Sequence, residues 1–391
     1  MDGRQVLILG IESSCDETAA AVVEETAGAA RAWTIRSSVV ASQVEIHREW
    51  GGVVPELSAR QHIRDICGVV ERALSDAAVS LDDLGAVAVT QGPGLVGSLL
   101  VGLSFAKAVA WARRLPLVPV HHLAGHIESL WLAHGSLPLP AVVLVVSGGH
   151  TSLFHVPAPG AYHLVGRTRD DAAGEAYDKV AKLLGLGYPG GPVIDRVAHE
   201  GNDRAVTLPV ARMTHRDRND PSRPGRMDFS FSGIKTAVLR HVRALDGSRD
   251  SRKHLPIPEG RDSAEGAGDP RGHGDRLTRG ANAGAVLTAA EVADICASFQ
   301  RAVVEALLAR TAEAAAWYGA RSVGIAGGVS ANSRLRVDAA AWGERAGVPV
   351  FVPPLSLSTD NAAMIAAAGL RRFHQGVRAG WDLNADAALV L

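Results

Sequence analysis

The sequence predicts an α/β protein of two lobes with a cleft between them, and three observations predict it. At 391 residues the chain is too long for one ordinary hydrophobic core, which favours two domains of roughly 150–200 residues. Apolar residues make up 47% of it, charged residues 21% and aromatic residues 5%, the composition of an interior filled with Val, Leu and Ala. A strand–turn–strand pattern occurs twice, about 135 residues apart, which points to a duplicated architecture.

Taken in order, Val6 to Ile11 is a continuous apolar run and reads as a buried strand. Thr18 to Val23 reads as its partner, with a bend holding Glu12 to Glu17 between them. Leu57, Ile63, Ile66, Val69 and Val70 fall at helical spacing within residues 56–75. Ala86 to Thr90 is a strand that runs into the turn Gln91-Gly92-Pro93-Gly94. The stretch Pro119-Val120-His121-His122-Leu123-Ala124-Gly125-His126 ends a strand and opens a helix. Ala141 to Val146, the turn Ser147-Gly148-Gly149-His150 and Thr151 to Val156 make the second strand–turn–strand unit. Asp170 to Lys179 reads as a helix with an acidic start. Thr288 and Glu291 form a capping box ahead of the stripe Val292, Ile295, Phe299, Val303 and Leu307. A final helix runs from Ala362 to Leu370. Residues 245–284, rich in Gly, Arg, Asp, Ser and Pro, have too few large apolar side chains to order themselves and read as a flexible surface insertion. The lobes are expected at 1–136 and 137–375, the second holding that insertion, with a tail at 376–391.

A formal net charge of −1 excludes a polybasic molecule drawn nonspecifically to nucleic acid or membrane, so any RNA contact is a local patch. The three cysteines, Cys15, Cys67 and Cys296, are odd in number and widely spaced. They make neither a disulfide framework nor a zinc knuckle and suit a reducing cytoplasm. The first residues lack the zones of a signal peptide, and the apolar stretch around Leu99 to Ala112 carries Lys107 and is too short to span a bilayer. No membrane role is expected.

Glycine turns after buried strands let backbone N–H groups converge on an anion. Four occur: Gln91 to Gly94, Ser147 to His150, Tyr188-Pro189-Gly190-Gly191-Pro192 and Ala326-Gly327-Gly328-Val329-Ser330. Any one could be only a tight connection, but together they favour nucleotide binding. None fits a P-loop or a dinucleotide fingerprint. His122 and His126, at i and i+4, share a helical face and can chelate a metal; decoration of a surface or core is the alternative. Their place just after a strand suits a ligand site, and no Glu follows His122 as in a metalloprotease helix. Asp360 offers a carboxylate as third ligand or, equally, as a helix N-cap. Two His and one carboxylate leave coordination positions open, as in catalytic iron or zinc sites. The carboxylates of residues 170–178 read as ligands for ribose or metal, or as a solvated helix face. Arg212, Arg216, Arg218, Arg223 and Arg226 could touch phosphates, although interleaved Asp217, Asp220 and Asp228 argue for a solvated loop.

Taken together, Ile11-Glu12-Ser13-Ser14-Cys15-Asp16-Glu17-Thr18, the His122/His126 pair, Val146 to Thr151, Asp171 to Lys179, Tyr188 to Pro192, Phe229-Ser230-Phe231-Ser232-Gly233-Ile234-Lys235, Gly327 to Asn332 and Ser358 to Asn361 resemble the TsaD family. These are the tRNA N6-adenosine threonylcarbamoyltransferases, once called O-sialoglycoprotein endopeptidases. The resemblance runs from Val6 to Leu370 apart from the insertion, which is longer than the family pattern leads one to expect. It implies an actin-like, sugar-kinase-like and heat-shock-ATPase-like (ASKHA) fold with a nucleotide cleft. It also implies transfer of threonylcarbamoyl from threonylcarbamoyl-adenylate to the N6 amine of the adenosine 3′ of the anticodon in tRNAs reading ANN codons, releasing AMP. By position, His122, His126 and Asp360 match the ligands of one divalent metal ion, with iron favoured over zinc. Val145, Val146, Ser147, Gly148, Gly149, Asp178, Gly191 and Asn332, with Asp195 as a further candidate, match the part that holds the adenylate. Asp16 and Glu17 are candidates for taking the amine proton or merely shape the bend. The family implies TsaB-like and TsaE-like partner proteins.

Three rival functions remain at this level. A kinase or ATPase on the same fold is opposed by imidazole ligands, since such enzymes hold magnesium through oxygen. A noncatalytic scaffold for tRNA and partners is expected to lack the His pair. Peptidase activity is opposed by the missing Glu after His122.

Overall fold

The computed structural model describes residues 6–25, 33–211, 213, 227–245 and 287–391. The expected insertion beyond Leu245 and the arginines at 212, 216, 218, 223 and 226 lie outside these residues.

Strands β1 (Leu7–Glu12), β2 (Glu17–Glu25), β3 (Trp33–Ser42), β4 (Ala86–Gly92) and β5 (Leu117–His121) form one five-stranded sheet in the order β3-β2-β1-β4-β5. Strands β6 (Ala141–Val146), β7 (Thr151–Ala158), β8 (Ala161–Arg167), β9 (Ser322–Ala326) and β10 (Val350–Phe351) form the other, in the order β10-β9-β6-β7-β8. The two are the same design. The first strand of each set pairs antiparallel with the second and parallel with the fourth, and the fourth is parallel to the fifth. The expected duplication is thus present strand for strand. The first bend is tighter than expected: Glu12 and Glu17 belong to the strands, with Glu12 paired to Ala19, and only residues 13–16 turn.

The helices are α1 (Val44–Arg48), α2 (Pro55–Ala77), α3 (Val96–Arg113), α4 (His122–His134), α5 (Ala173–Leu183), α6 (Gly190–Ala198), α7 (Ser232–Leu245), α8 (Ala289–Trp317), α9 (Ser333–Ala346), α10 (Leu355–Ser358) and α11 (Ala362–His374). In α2 the expected stripe holds at Ile66, Val69 and Val70, but Ile63 is 65% exposed. The buried face turns polar there. Ser58 and His62 occupy it and reach the Cys15 carbonyl in the first bend. Helix α3 is the one described helix long and apolar enough to cross a membrane on length and composition. Leu103, Ala106 and Ala110 on it pack in the core beside the first sheet, and Leu99 is fully buried. Helix α8 begins at the Thr288–Glu291 capping box, and its Ile295, Phe299, Val303 and Leu307 sit at the centre of the second core.

Helix α11 differs from expectation. Sequence order assigns it to the second lobe, yet it packs on β1, β2 and β4 of the first sheet and against α4. The reason is its composition: residues 362–370 are apolar on every side and all buried, so the helix must be covered all round. Gly10 makes the approach possible, because a Cβ there would lie 2.3 Å from the Ala362 carbonyl oxygen. The two helices are also locked by charge. Fully buried Glu128 on α4 accepts from Arg371 Nε and Nη2 on α11, at 2.5 and 2.7 Å, and from Tyr162 of β8. Arg371 also lies 4.9 Å from the ring centre of Trp33. A lone buried charge is costly, so these partners hold β3, β8, α4 and α11 as a unit.

Candidate active site

Strand β5 ends on His121 and α4 opens on His122, so the chain delivers two imidazoles at the carboxyl end of the first sheet. The rings of His122 and His126 stand edge to face with centroids 4.8 Å apart. Asp360 Oδ1 lies 3.1 Å from His126 Nε2 and 3.5 Å from His122 Nε2. One donor atom from each of the three lies within 4.8 Å of the others. Despite that proximity, neither buried ring nitrogen of His126 has a hydrogen-bond partner among the described residues. Donors spaced like this but not bonded to each other fit a shared cation, whose bonds of about 2.1 Å place neighbouring ligand atoms roughly 3.0–3.5 Å apart. The helix cap is Asn361, whose Oδ1 accepts from Met364 N at 3.0 Å. Asp360 is thereby not the cap of that helix.

Glu12 was not singled out from the sequence. Its fully buried carboxylate accepts from Ser14 N at 2.6 Å and from Thr90 Oγ1 at 2.8 Å, and its Oε2 lies 2.9 Å from His122 Nδ1. It therefore fixes the ring and turns Nε2 towards Asp360, the carboxylate–imidazole arrangement that supports metal ligands. The signal available was an acid ending an apolar strand at its carboxyl end. Burial opposes charge on His122, but Asp360 and Glu12 on either side outweigh it and raise the ring to about 9. Burial likewise opposes charge on Asp360, yet the imidazoles of His122, His126 and His150 hold its carboxyl well below the usual range. These opposite shifts describe one tight acid–base cluster.

The first bend faces this cluster. Burial, then the charges of Asp16 and Asp360, raise Glu17 well above the ordinary carboxylate range. Asp16 is 8% exposed. Its charge also reaches the second lobe, where it helps to raise Asp178 and Tyr188 after burial, the largest cause for both.

On the second lobe, Val145 and Val146 are fully buried at the end of β6, so they can offer a ligand only backbone. Ser147 Oγ accepts from His150 N at 3.2 Å and closes the turn. A Cβ added to Gly148, Gly149 or Gly191 would meet nothing within 4 Å, so these glycines face open space. Asp178 accepts from Gly190 N at 2.7 Å at the start of α6, and burial raises its carboxyl to about 6. Asp195 accepts from Ser333 N and Oγ at 3.1 and 2.7 Å and from Asn332 Nδ2 at 3.2 Å. Asn332 is itself committed: its Oδ1 caps α9 at Leu335 N, and its Nδ2 also donates to Gln300. Asp195 and Asn332 therefore shape the glycine turn that follows β9. A hollow of about 670 Å³ lies elsewhere, between the end of α3 and Trp381, and holds none of these residues.

The TsaD family, described as tRNA N6-adenosine threonylcarbamoyltransferase, matches residues 34–367. A protein of that name from Koribacter versatilis (strain Ellin345) is 48% identical over 403 aligned residues, covering 98% of this chain and 99% of its own. Its namesake from Moorella thermoacetica (strain ATCC 39073 / JCM 9320) is 45% identical over 384 residues, covering 98% and 97%. Among solved structures, full-length HypF in a phosphate- and nucleotide-bound form superposes with a TM-score of 0.55 at 12% identity, covering 96% of this chain and 47% of HypF. That likeness concerns the fold.

Proposed function

The chain belongs to the TsaD family of tRNA N6-adenosine threonylcarbamoyltransferases, and from that premise we propose how its residues share the reaction. It is a transferase acting on tRNA, with the two-lobed ASKHA fold. The donor is threonylcarbamoyl-adenylate, lying in the cleft with its phosphate towards the turns at 145–149 and 190–191. There the backbone N–H groups of Gly148, Gly149 and Gly191 face the anion, which needs no side chain. Asp178 receives a ribose hydroxyl, and Asp195 with Asn332 holds the neighbouring turn in shape.

The N6 amine of the adenosine 3′ of the anticodon attacks the carbamoyl carbon. A C–N bond forms, the carbon–oxygen bond to phosphate breaks, and AMP leaves with the electron pair. The amine proton goes to the first bend. Asp16 and Glu17, side by side there, are the carboxylates placed to take it. One divalent ion held by His122, His126 and Asp360 would supply Lewis-acid stabilisation of negative charge. Iron suits two imidazoles and a carboxylate, and zinc is the alternative. Glu12 keeps His122 in the tautomer that a ligand needs. TsaB-like and TsaE-like proteins are the expected partners, and the cytoplasm is the expected compartment.

The observation that carries this reading is the meeting of His122, His126 and Asp360, from two distant parts of the chain, at the mouth of the cleft. The test is reconstitution with partners, adenylate and an ANN-decoding tRNA transcript, read as a mass increase on one adenosine. The double variant His122→Ala, His126→Ala is expected to lose bound transition metal and transfer together while staying folded. Metal retained by elemental analysis, or transfer at the wild-type rate, would overturn it.

A further inference from the structure

We propose that the tail at 376–391 positions the metal-bearing helix α4 through His121; this rests on the metal reading above. The tail returns along β5, an edge strand of the first sheet. Ala379 N donates to Leu117 O at 2.9 Å where β5 begins. Farther on, Asp386 N donates to Gln91 O at 3.0 Å and Gly94 N to Ala387 O at 3.3 Å. Gly92 is what lets the tail pass, because a Cβ there would lie 1.8 Å from the Asp386 carbonyl oxygen. Leu391 then packs against the cluster containing Leu123, Ile127 and Trp131 of α4.

The connection to the site is His121, which is 5% exposed. Its Nδ1 accepts from Leu123 N at 3.1 Å and so caps α4. Its Nε2 lies 3.0 Å from Leu389 O. One ring nitrogen must accept and the other must donate, so the tail carbonyl fixes the neutral tautomer with hydrogen on Nε2. Without that carbonyl the ring can turn or exchange tautomers, and the first turn of α4 loses its cap. The residue after His121 is the ligand His122, and the next turn presents His126. His121 is thus a positioning residue, with the tail as its support.

The test is a double-mutant cycle in the full chain: removal of residues 389–391, His121→Ala, and both together. Zinc affinity is read by competition with a chromophoric chelator, and hydrogen exchange at the Leu123 amide is read in metal-free protein. Each single change is expected to weaken zinc binding about tenfold or more, the usual effect of losing an outer-shell partner. Both together should weaken it no further, and Leu123 exchange should quicken in each. His121→Asn, which can still cap through its Oδ1, should restore most of the affinity. Should the deletion not fold, the contrast between the Ala and Asn variants at 121 carries the test. Unchanged affinity in the variants, or effects that multiply in the double, overturns the proposal. A wild-type chain that fails to bind zinc overturns the metal reading instead.

Discussion

His122 offers Nε2 to the site because Glu12 occupies Nδ1. Across the cleft, burial keeps the Asp178 carboxyl in an unfavourable setting. Burial is the main cause of its rise to about 6, with the Gly190 N–H opposing and Asp16 and Glu175 adding to it. A carboxyl raised above its unfolded value of about 3.9 stabilises the fold fully below pH ~4 and loses that contribution as pH rises through about 6. Above that, the ionised group costs at most about 3 kcal/mol. Asp178→Asn is therefore expected to be more stable than wild type by up to about 2–3 kcal/mol at pH 8 and equal to it at pH 4, as read by urea denaturation at the two pH values. A gain of the same size at both would show that the charge is not the cause. The histidine pair and the glycine turns were legible as residues because imidazoles at i, i+4 and strand-to-turn glycines have local signatures. Glu12 was not, since its role exists only once β1, β4 and β5 lie side by side.

At the level of elements, the site depends on α11 arriving at the first sheet with Asp360 just ahead of it. Gly10→Ala would press on the Ala362 carbonyl and on Ala366 N, which its Cβ would approach to 2.3 and 2.7 Å. The strain should cost about 1–3 kcal/mol of stability. It should also move the start of α11, so the variant is expected to bind metal more weakly in chelator competition. Lower stability with unchanged metal affinity would show that Asp360 is held independently of the helix. The helices themselves were legible in their periodicity and caps, as α8 illustrates with Thr288 and Glu291. The outward turn of Ile63 was not, because nothing local tells that Ser58 and His62 take the buried face to reach the Cys15 carbonyl. Nor was the placement of α11, whose apolar surface says that it must be buried and not where.

For the whole molecule, duplication was legible because the strand–turn–strand pattern repeats in sequence, and the two sheets share one topology. How the halves meet was not, since the joining contacts come from residues far apart: Glu128 with Arg371 and Tyr162, the tail along β5, and Asp360 with the His pair. The division of labour follows from this arrangement. In the proposed reaction the first lobe and α11 would provide the metal ligands and the proton-accepting bend, and the second lobe the backbone amides for an anion. The central claim is that these halves share one ion-centred site, and anomalous diffraction from crystals of the protein purified with its native metal tests it most directly. The account predicts a single anomalous peak at the absorption edge of iron or zinc, bonded to His122 Nε2, His126 Nε2 and an Asp360 oxygen at about 2.0–2.2 Å. Crystals that show the metal elsewhere, or Asp360 turned away from an ion bound by the two histidines, would contradict it.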